Sequence, residues 1–247
     1  MSSKNVALVL GVGPLNGLGA AIAKRFVQGG SHVVIAGRTR EQLEDVAAAL
    51  RTDGEVTAVV ADATDESSVS GLFEHTASLG GNFDAAIYNA GNNRPGNIRD
   101  MDASYFEAAW RVGCFGGFLF GREAVRRMLP GPGGDSRRTL LFTGASASLR
   151  GRSGFGAFNS AKAGLRTLAQ AMSKEYGPEG LHVGHVVVDG GIAGDKIIQN
   201  VPQLVEQRGM DGLIDLGGLA EAYWFLHQQN PQSWSFEIDM RTYKENW

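Results

Sequence analysis

The sequence predicts an α/β fold, a doubly wound parallel sheet with helices on both faces, in a single domain over residues 1–247. Three observations carry this. Short apolar runs alternate with helical segments along nearly the whole chain, as in a parallel sheet wound with helices. The runs are apolar throughout, as strands buried on both sides are. The first run ends in a glycine-rich turn that opens into a helix, the layout of a dinucleotide-binding βαβ unit.

Each element follows from its residues. Val6–Leu10 is too short for a helix and is closed by glycine, so it reads as a buried strand. Ala20–Gln28 places Ile22, Phe26 and Val27 at helical spacing and stops at Gly29-Gly30. His32–Ala36 is a second buried strand and Glu41–Arg51 an amphipathic helix. Glu55–Ala61 and Glu66–Ser78 repeat the pair, and Ala85–Tyr88 is a fourth strand. Asp102–Leu129 is a long helical segment, expected to break locally at Gly113, Gly116 and Gly117. The proline and glycine cluster at 130–134 marks a turn. Arg138–Phe142, Gly156–Tyr176 and His182–Val188 continue as strand, helix and strand. Asp189–Gly212 reads as a glycine-containing loop region with a short helix, Asp215–Gln228 as a last helix, and Phe236–Met240 as a last strand. No linker, repeat or low-complexity block interrupts the series.

Composition narrows the function classes. Hydrophobic residues make up 43% and charged residues 20% of the 247, ordinary for a globular domain. A net charge of −3 gives no basic footprint for nucleic acid. No apolar run reaches the length of a membrane span, and the first strand begins too early to leave room for a signal peptide. A soluble cytoplasmic protein is the expectation. Cys114, the single cysteine, rules out an internal disulfide and reads as a small buried hydrophobe. No Cys/His cluster offers a metal site, so none is expected. Thr143-Gly-Ala-Ser146 lacks the GxSxG elbow of a serine hydrolase, and His185, inside an apolar strand, reads as a core histidine.

The glycine turn is Gly11-Val-Gly13-Pro-Leu-Asn-Gly17-Leu18-Gly19. Such a turn lets backbone N–H groups reach a pyrophosphate, and the helix N-terminus behind it adds partial positive charge. The second strand ends in Gly37-Arg38. A carboxylate there binds the ribose hydroxyls of NAD, whereas an arginine pairs with the 2′-phosphate of NADP. NADP(H) is therefore favoured over NAD(H), although Asn16 adds no second positive charge. Asp62 follows the third strand, and Tyr88-Asn89-Ala90-Gly91 ends the fourth. Ligands of open α/β sheets bind at that edge, which makes the fold a Rossmann-type one.

The stretch from Thr143 to Leu165, TGASASLRGRSGFGAFNSAKAGL, places Phe158 and Lys162 four apart on one helix face. With the Gly13-x-x-x-Gly17-x-Gly19 spacing and Asn89-Ala90-Gly91, it resembles the short-chain dehydrogenase/reductase family over residues 5 to 240. The resemblance implies an oxidoreductase acting on a small molecule. It implies a cofactor held by Gly13, Gly17, Leu18, Gly19, Arg38, Asp62, Ala63, Asn89, Ala90, Gly91, Lys162, Gly190 and Ile192. It also implies a homodimer or homotetramer, and the aromatic load of Phe106, Trp110, Phe115 and Phe118 on one helix agrees.

The family's catalytic positions depart from its pattern. Its active-site Tyr is Phe158 here, its Ser is Ala145 with Ser146 adjacent, and its relay Asn is Gly113; Lys162 remains. After the sixth strand, Asp189 and Gly194 replace the family's Pro and Thr. Asp189 reads either as a turn residue or as a new carboxylate at the cleft. Arg94, Arg99, Arg150, Arg152 and Lys196 fall in loops near the expected pocket mouth, as solvated charges or as contacts for an anionic substrate. Two functions stay open. One is an NADP(H)-dependent reductase in which water, Ser146 or Lys162 manages the proton. The other is a cofactor-binding sensor or oligomer partner without turnover.

Overall fold

The computed structural model describes residues 4–91, 93–129 and 138–245. The proline and glycine turn expected at 130–134 lies outside them. Among the described residues the strands are β1 Asn5–Leu10, β2 His32–Gly37, β3 Val56–Val60, β4 Asn82–Tyr88, β5 Arg138–Thr143, β6 Leu181–Val188 and β7 Glu237–Met240. They form one sheet in the order β3-β2-β1-β4-β5-β6-β7, parallel throughout. The order reverses between β1 and β4, the switch point where such sheets take ligands.

The helices are α1 Leu18–Gln28, α2 Arg40–Leu50, α3 Glu66–Ser78, α4 Ala103–Trp110, α5 Gly116–Met128, α6 Gly156–Tyr176, α7 Asp195–Asn200, α8 Pro202–Arg208 and α9 Leu216–Gln228. Side-chain alternation along the strands divides the core in two. Ala7, Val9, Val33, Ile35, Ile87, Leu141 and Val186 face the layer of α1, α2 and α9. Leu8, Leu10, Val34, Ala86, Tyr88, Leu140 and Phe142 face α3, α5 and α6. Local caps agree with the expected starts: Asp65 accepts from the Ser68 amide at 2.6 Å ahead of α3, and Asp215 from the Gly218 amide at 2.6 Å ahead of α9.

The local break expected in the 102–129 segment falls at Gly113, and its glycines have a second role in packing. The backbone stays helical through them, with a π turn at Arg111–Phe115 between α4 and α5. A Cβ on Gly113 would lie 2.6 Å from Ala161 Cβ, one on Gly117 2.3 Å from Leu165 Cδ1, and one on Gly121 2.8 Å from Met172 Cε. Spaced by four, these three form one stripe against α6. They set a close helix approach, in addition to the interruption at Gly113. Tyr88 Oη donates to the Val112 carbonyl at 2.6 Å, meeting a backbone acceptor within the irregular turn. The 189–212 region is also more regular than expected, carrying both α7 and α8. No helix among the described residues is long and apolar enough to cross a membrane.

Candidate active site

The chain crosses the carboxyl edge of the sheet at every strand end, and the sequence-derived positions meet there. Gly11 follows β1 at φ +104°, and a Cβ on it would lie 2.3 Å from the Ala90 nitrogen. Asn89 Nδ2 donates to the Gly11 carbonyl at 2.9 Å. The first and fourth strand ends are thus clamped together, which holds the glycine turn open toward solvent. A Cβ on Gly13 would have nothing closer than Gln42 Oε1 at 3.7 Å. Helix α1 begins at Leu18 and Gly19 with no side-chain cap and no acidic residue in its first turn. Its leading N–H groups are therefore available to an anion. This donor set fits a dinucleotide pyrophosphate.

At the end of β2, a Cβ on Gly37 would lie 2.4 Å from the Val12 carbonyl oxygen, so an aspartate there could not fit this turn. Arg38 is exposed and its side chain has no partner among the described residues. Asp62 accepts from the amide and hydroxyl of Thr64, both at 2.8 Å. Buried Ala63 lies with its carbonyl oxygen 2.6 Å from where a Gly116 Cβ would stand. Asn16 is engaged elsewhere: its side chain donates to Asp195 Oδ1 at 3.0 Å, and its carbonyl accepts from the Asp195 amide at 2.9 Å. This clasp brings the start of α7 onto the glycine turn. A Cβ on Gly194 would lie 2.8 Å from the Asn16 carbonyl oxygen, a physical reason for the missing threonine.

Lys162 is buried, and its Nζ donates to the Thr143 carbonyl at 2.6 Å. Thr143 Oγ1 bonds Asn89 Oδ1 at 3.0 Å and shares a hydrogen bond with Tyr223 Oη at 2.7 Å. The chain Lys162–Thr143–Asn89–Gly11 therefore links α6, β5, β4 and the glycine turn. Thr143 and Tyr223 escaped the sequence reading because their partners lie 54 and 80 residues away. Burial pushes the Lys162 ammonium down to about 8, with Lys196 adding to the shift. Lys162 Nζ stands 5.9 Å from the centre of the half-buried Phe158 ring. A Cβ on Gly91 would lie 3.4 Å from the same Nζ.

Other candidates fall into place around this line. Ser146 sits in a 3-10 turn, and its hydroxyl has no partner among the described residues. Ser148 Oγ turns back to the Ala145 carbonyl at 2.5 Å. Gly113 has no room for a relay side chain while Ala161 stays in place. Gly190 takes φ +152°, and Ile192 bridges Ile214, so both belong to a tightly pinned turn. Asp189 lies between the end of β6 and the bend at Gly190, where the turn reading puts it, but its carboxylate is not free. It is buried, with Arg150 Nη2 at 3.2 Å from both its oxygens and Arg241 Nη2 3.8 Å away. His185 is buried as expected and faces Glu237 Oε2 through Nδ1 at 2.9 Å. Arg166 donates to both Glu237 oxygens at 2.6 and 2.8 Å. Burial holds the His185 imidazole down to about 4 against the pull of Glu237. Cys114 is half-buried, not fully buried, and packs against Gly164. No group of metal-binding side chains occurs among the described residues.

Comparison with known proteins agrees with this geometry. Residues 5–200 match the family model described as short chain dehydrogenase. A cis-4-hydroxycyclohexanecarboxylate dehydrogenase from Sinomonas cyclohexanicum is 30% identical over 202 residues, 81% of this chain and 78% of the relative. The crystal structure of a short-chain dehydrogenase from Rhodopseudomonas palustris is 33% identical with a TM-score of 0.79, covering 97% of this chain and 99% of that one. An NADPH-bound short chain oxidoreductase from Pseudomonas aeruginosa PAO1, described as containing an atypical catalytic center, shares the fold at 19% identity. Its TM-score is 0.86 and coverage is 100% of both chains.

Proposed function

This chain belongs to the short-chain dehydrogenase family, and we propose that it is an NADP(H)-dependent reductase of small carbonyl or conjugated compounds that works without a tyrosine acid. The observation that carries the reading is buried Lys162, held on the Thr143 carbonyl with its ammonium over the Phe158 ring, in a fold whose first helix begins uncapped after a glycine turn. When bound, the cofactor supplies the hydride. The chain's residues do the rest. The N-terminus of α1 and the turn around Gly13 and Gly17 hold the pyrophosphate, and Arg38 pairs with the 2′-phosphate. Lys162 binds the nicotinamide ribose and is the proton source. An ammonium that titrates at about 8 is an acid matched to neutral pH. Loss of the tyrosine costs part of a general-acid factor of about 10²–10⁴, which slows a reductase without abolishing it. The Sinomonas relative acts, by its name, on a ring alcohol, so alicyclic ketones are the first substrates to test.

A second reading is cofactor binding without turnover. Phe158 and Ala145 carry no transferable proton and Gly113 no relay group, and these positions favour it. Stopped-flow oxidation of bound NADPH against alicyclic ketones, diketones, enones and quinones separates the two. Tight NADPH binding with no oxidation by any acceptor sinks the reductase and supports the sensor.

A further inference from the structure

The mouth of the cleft holds cations that the rest of the molecule does not neutralise. Several arginines away from the mouth have carboxylate partners, among them Arg25 with Glu221, Arg122 with Glu66, Arg127 with Glu74 and Arg208 with Glu245, whereas exposed Arg51 and Arg111 donate to backbone carbonyls. Arg150, at the mouth, has Asp189. Arg94 and Arg152 have none among the described residues. Asp100 and Asp102, the acids nearest Arg94 in sequence, pair with neither.

Both guanidiniums are nevertheless held in place. Arg94 lies over the Tyr105 ring at 5.3 Å, and Tyr105 Oη donates to the Arg94 carbonyl at 3.2 Å. Arg152 lies over the Phe155 ring at 4.8 Å, and its carbonyl accepts from Asn159 Nδ2 at 2.9 Å. Asn159 is the neighbour of Phe158 in α6. The two arginine-bearing loops are joined: the Gly96 amide donates to the Gly154 carbonyl at 2.7 Å, and Gly96 pairs with Phe155 as an isolated bridge. Lys196 is exposed at the start of α7, close enough for its charge to depress Lys162. An arginine stacked on a ring keeps its planar fork of donors free for a carboxylate. On a protein of net charge −3, a positive mouth draws anions in and concentrates them.

We propose that Arg94 and Arg152 form an anion subsite at the mouth of the cleft that binds the carboxylate of an oxo-acid substrate. The proposal rests on the reductase reading for the substrate's carbonyl, but the carboxylate site itself can be measured without turnover. Pentanoate and pentanamide are the probes, titrated by calorimetry into the full chain with and without NADP⁺. Pentanoate should bind about tenfold or more tighter, since one charge-assisted hydrogen bond contributes about 1.5–3 kcal/mol, and the preference should shrink with added salt. In the double variant Arg94→Gln, Arg152→Gln the preference should fall to within about threefold. Arg152→Lys, which keeps charge but loses the fork, should be intermediate. Lys174→Gln, an exposed cation on α6 outside the mouth loops, should leave the preference intact. Equal binding of acid and amide by the wild type overturns the subsite, as does a preference that survives in the double variant. In the kinetic arm, a short series of straight-chain oxo acids is compared with the matching amides in NADPH oxidation. The acids should win through KM, and the ratio should collapse in the double variant. Equal rates for acids and amides overturn the subsite and leave the reductase standing. A pentanoate preference without oxidation of any compound supports the subsite and removes the reductase.

Discussion

Phe158→Tyr tests the proposed chemistry most directly. The Phe158 ring centre lies 5.9 Å from Lys162 Nζ, with the ammonium over the ring. A para hydroxyl adds one oxygen and little volume, on a side chain that is already half-buried. Two unit charges about 6 Å apart at an effective dielectric of about 20 attract by about 3 kcal/mol. That equals about 2 pKa units, enough to bring a phenol from about 10 to about 8. Partial burial opposes the shift, so the Coulomb figure is an upper bound. The variant should thus hold a second acid near the working pH. We expect Phe158→Tyr to raise kcat/KM for reduction by about tenfold, and Phe158→Tyr with Ala145→Ser to approach the 10²–10⁴-fold of full general-acid help. Lys162→Ala in either background should remove the gain and weaken cofactor binding. The assay is NADPH consumption with a panel of diketones and alicyclic ketones, beside a fluorescence check of NADPH binding. If the double variant binds NADPH normally and reduces nothing, the pocket has diverged beyond its proton donor and the argument fails. If wild type outpaces both variants, Lys162 alone is the better acid and the tyrosine is superfluous here.

Arg38→Ala should raise the Kd for NADPH by about 10–100-fold, the loss of one charge-assisted contact, with little effect on NADH. Equal affinity of the wild type for both cofactors in a fluorescence titration ends the NADP assignment. Acid should destabilise the fold through His185. Its native value of about 4 lies below the ordinary 6.5, so the unfolded chain binds the proton first. Stability is full above about 6.5 and falls by about 3 kcal/mol as pH drops to about 4. His185→Gln should flatten that slope in urea titrations; an unchanged slope excludes His185 as its source. Phe106, Trp110 and Phe118 remain 41, 40 and 40% exposed along α4 and α5. Such a patch predicts a homodimer or larger assembly, which sedimentation at micromolar concentration would show, and a clean monomer contradicts it.

The readable part of this protein is its periodic part. Strand and helix types, their alternation and the parallel sheet follow from runs such as Val6–Leu10 and from the stop at Gly29-Gly30, because burial on both faces writes itself into consecutive residues. The placement of the expected cradle residues was legible too. Gly13, Gly17 and Gly19 lie in the turn after β1 and the start of α1, Arg38 and Asn89 directly follow β2 and β4, and a parallel sheet carries all such ends to one edge. That position 158 lacks the family's tyrosine hydroxyl follows from the resemblance, once Lys162 fixes the register of the pattern.

Contacts between distant segments were decided by the tertiary structure alone. Gly113 and Gly117 read only as points where the helix breaks, and Gly121 was not singled out, since glycine propensity is a local quantity. Their role as a seat for Ala161, Leu165 and Met172 exists only once α6 lies against them. Asp189 sits in the turn as one reading has it, but the partner of its carboxylate, Arg150, lies 39 residues away. Lys162 could be read as a ribose ligand, but its burial on the Thr143 carbonyl depends on β5 and α6 meeting. The clasp between Asn16 and Asp195 spans 179 residues and has no sequence signature. The physical reason is the same in each case. Local pattern records which face is buried, whereas the partner of a buried charge or of a missing side chain is fixed by chain segments that only the folded sheet brings together.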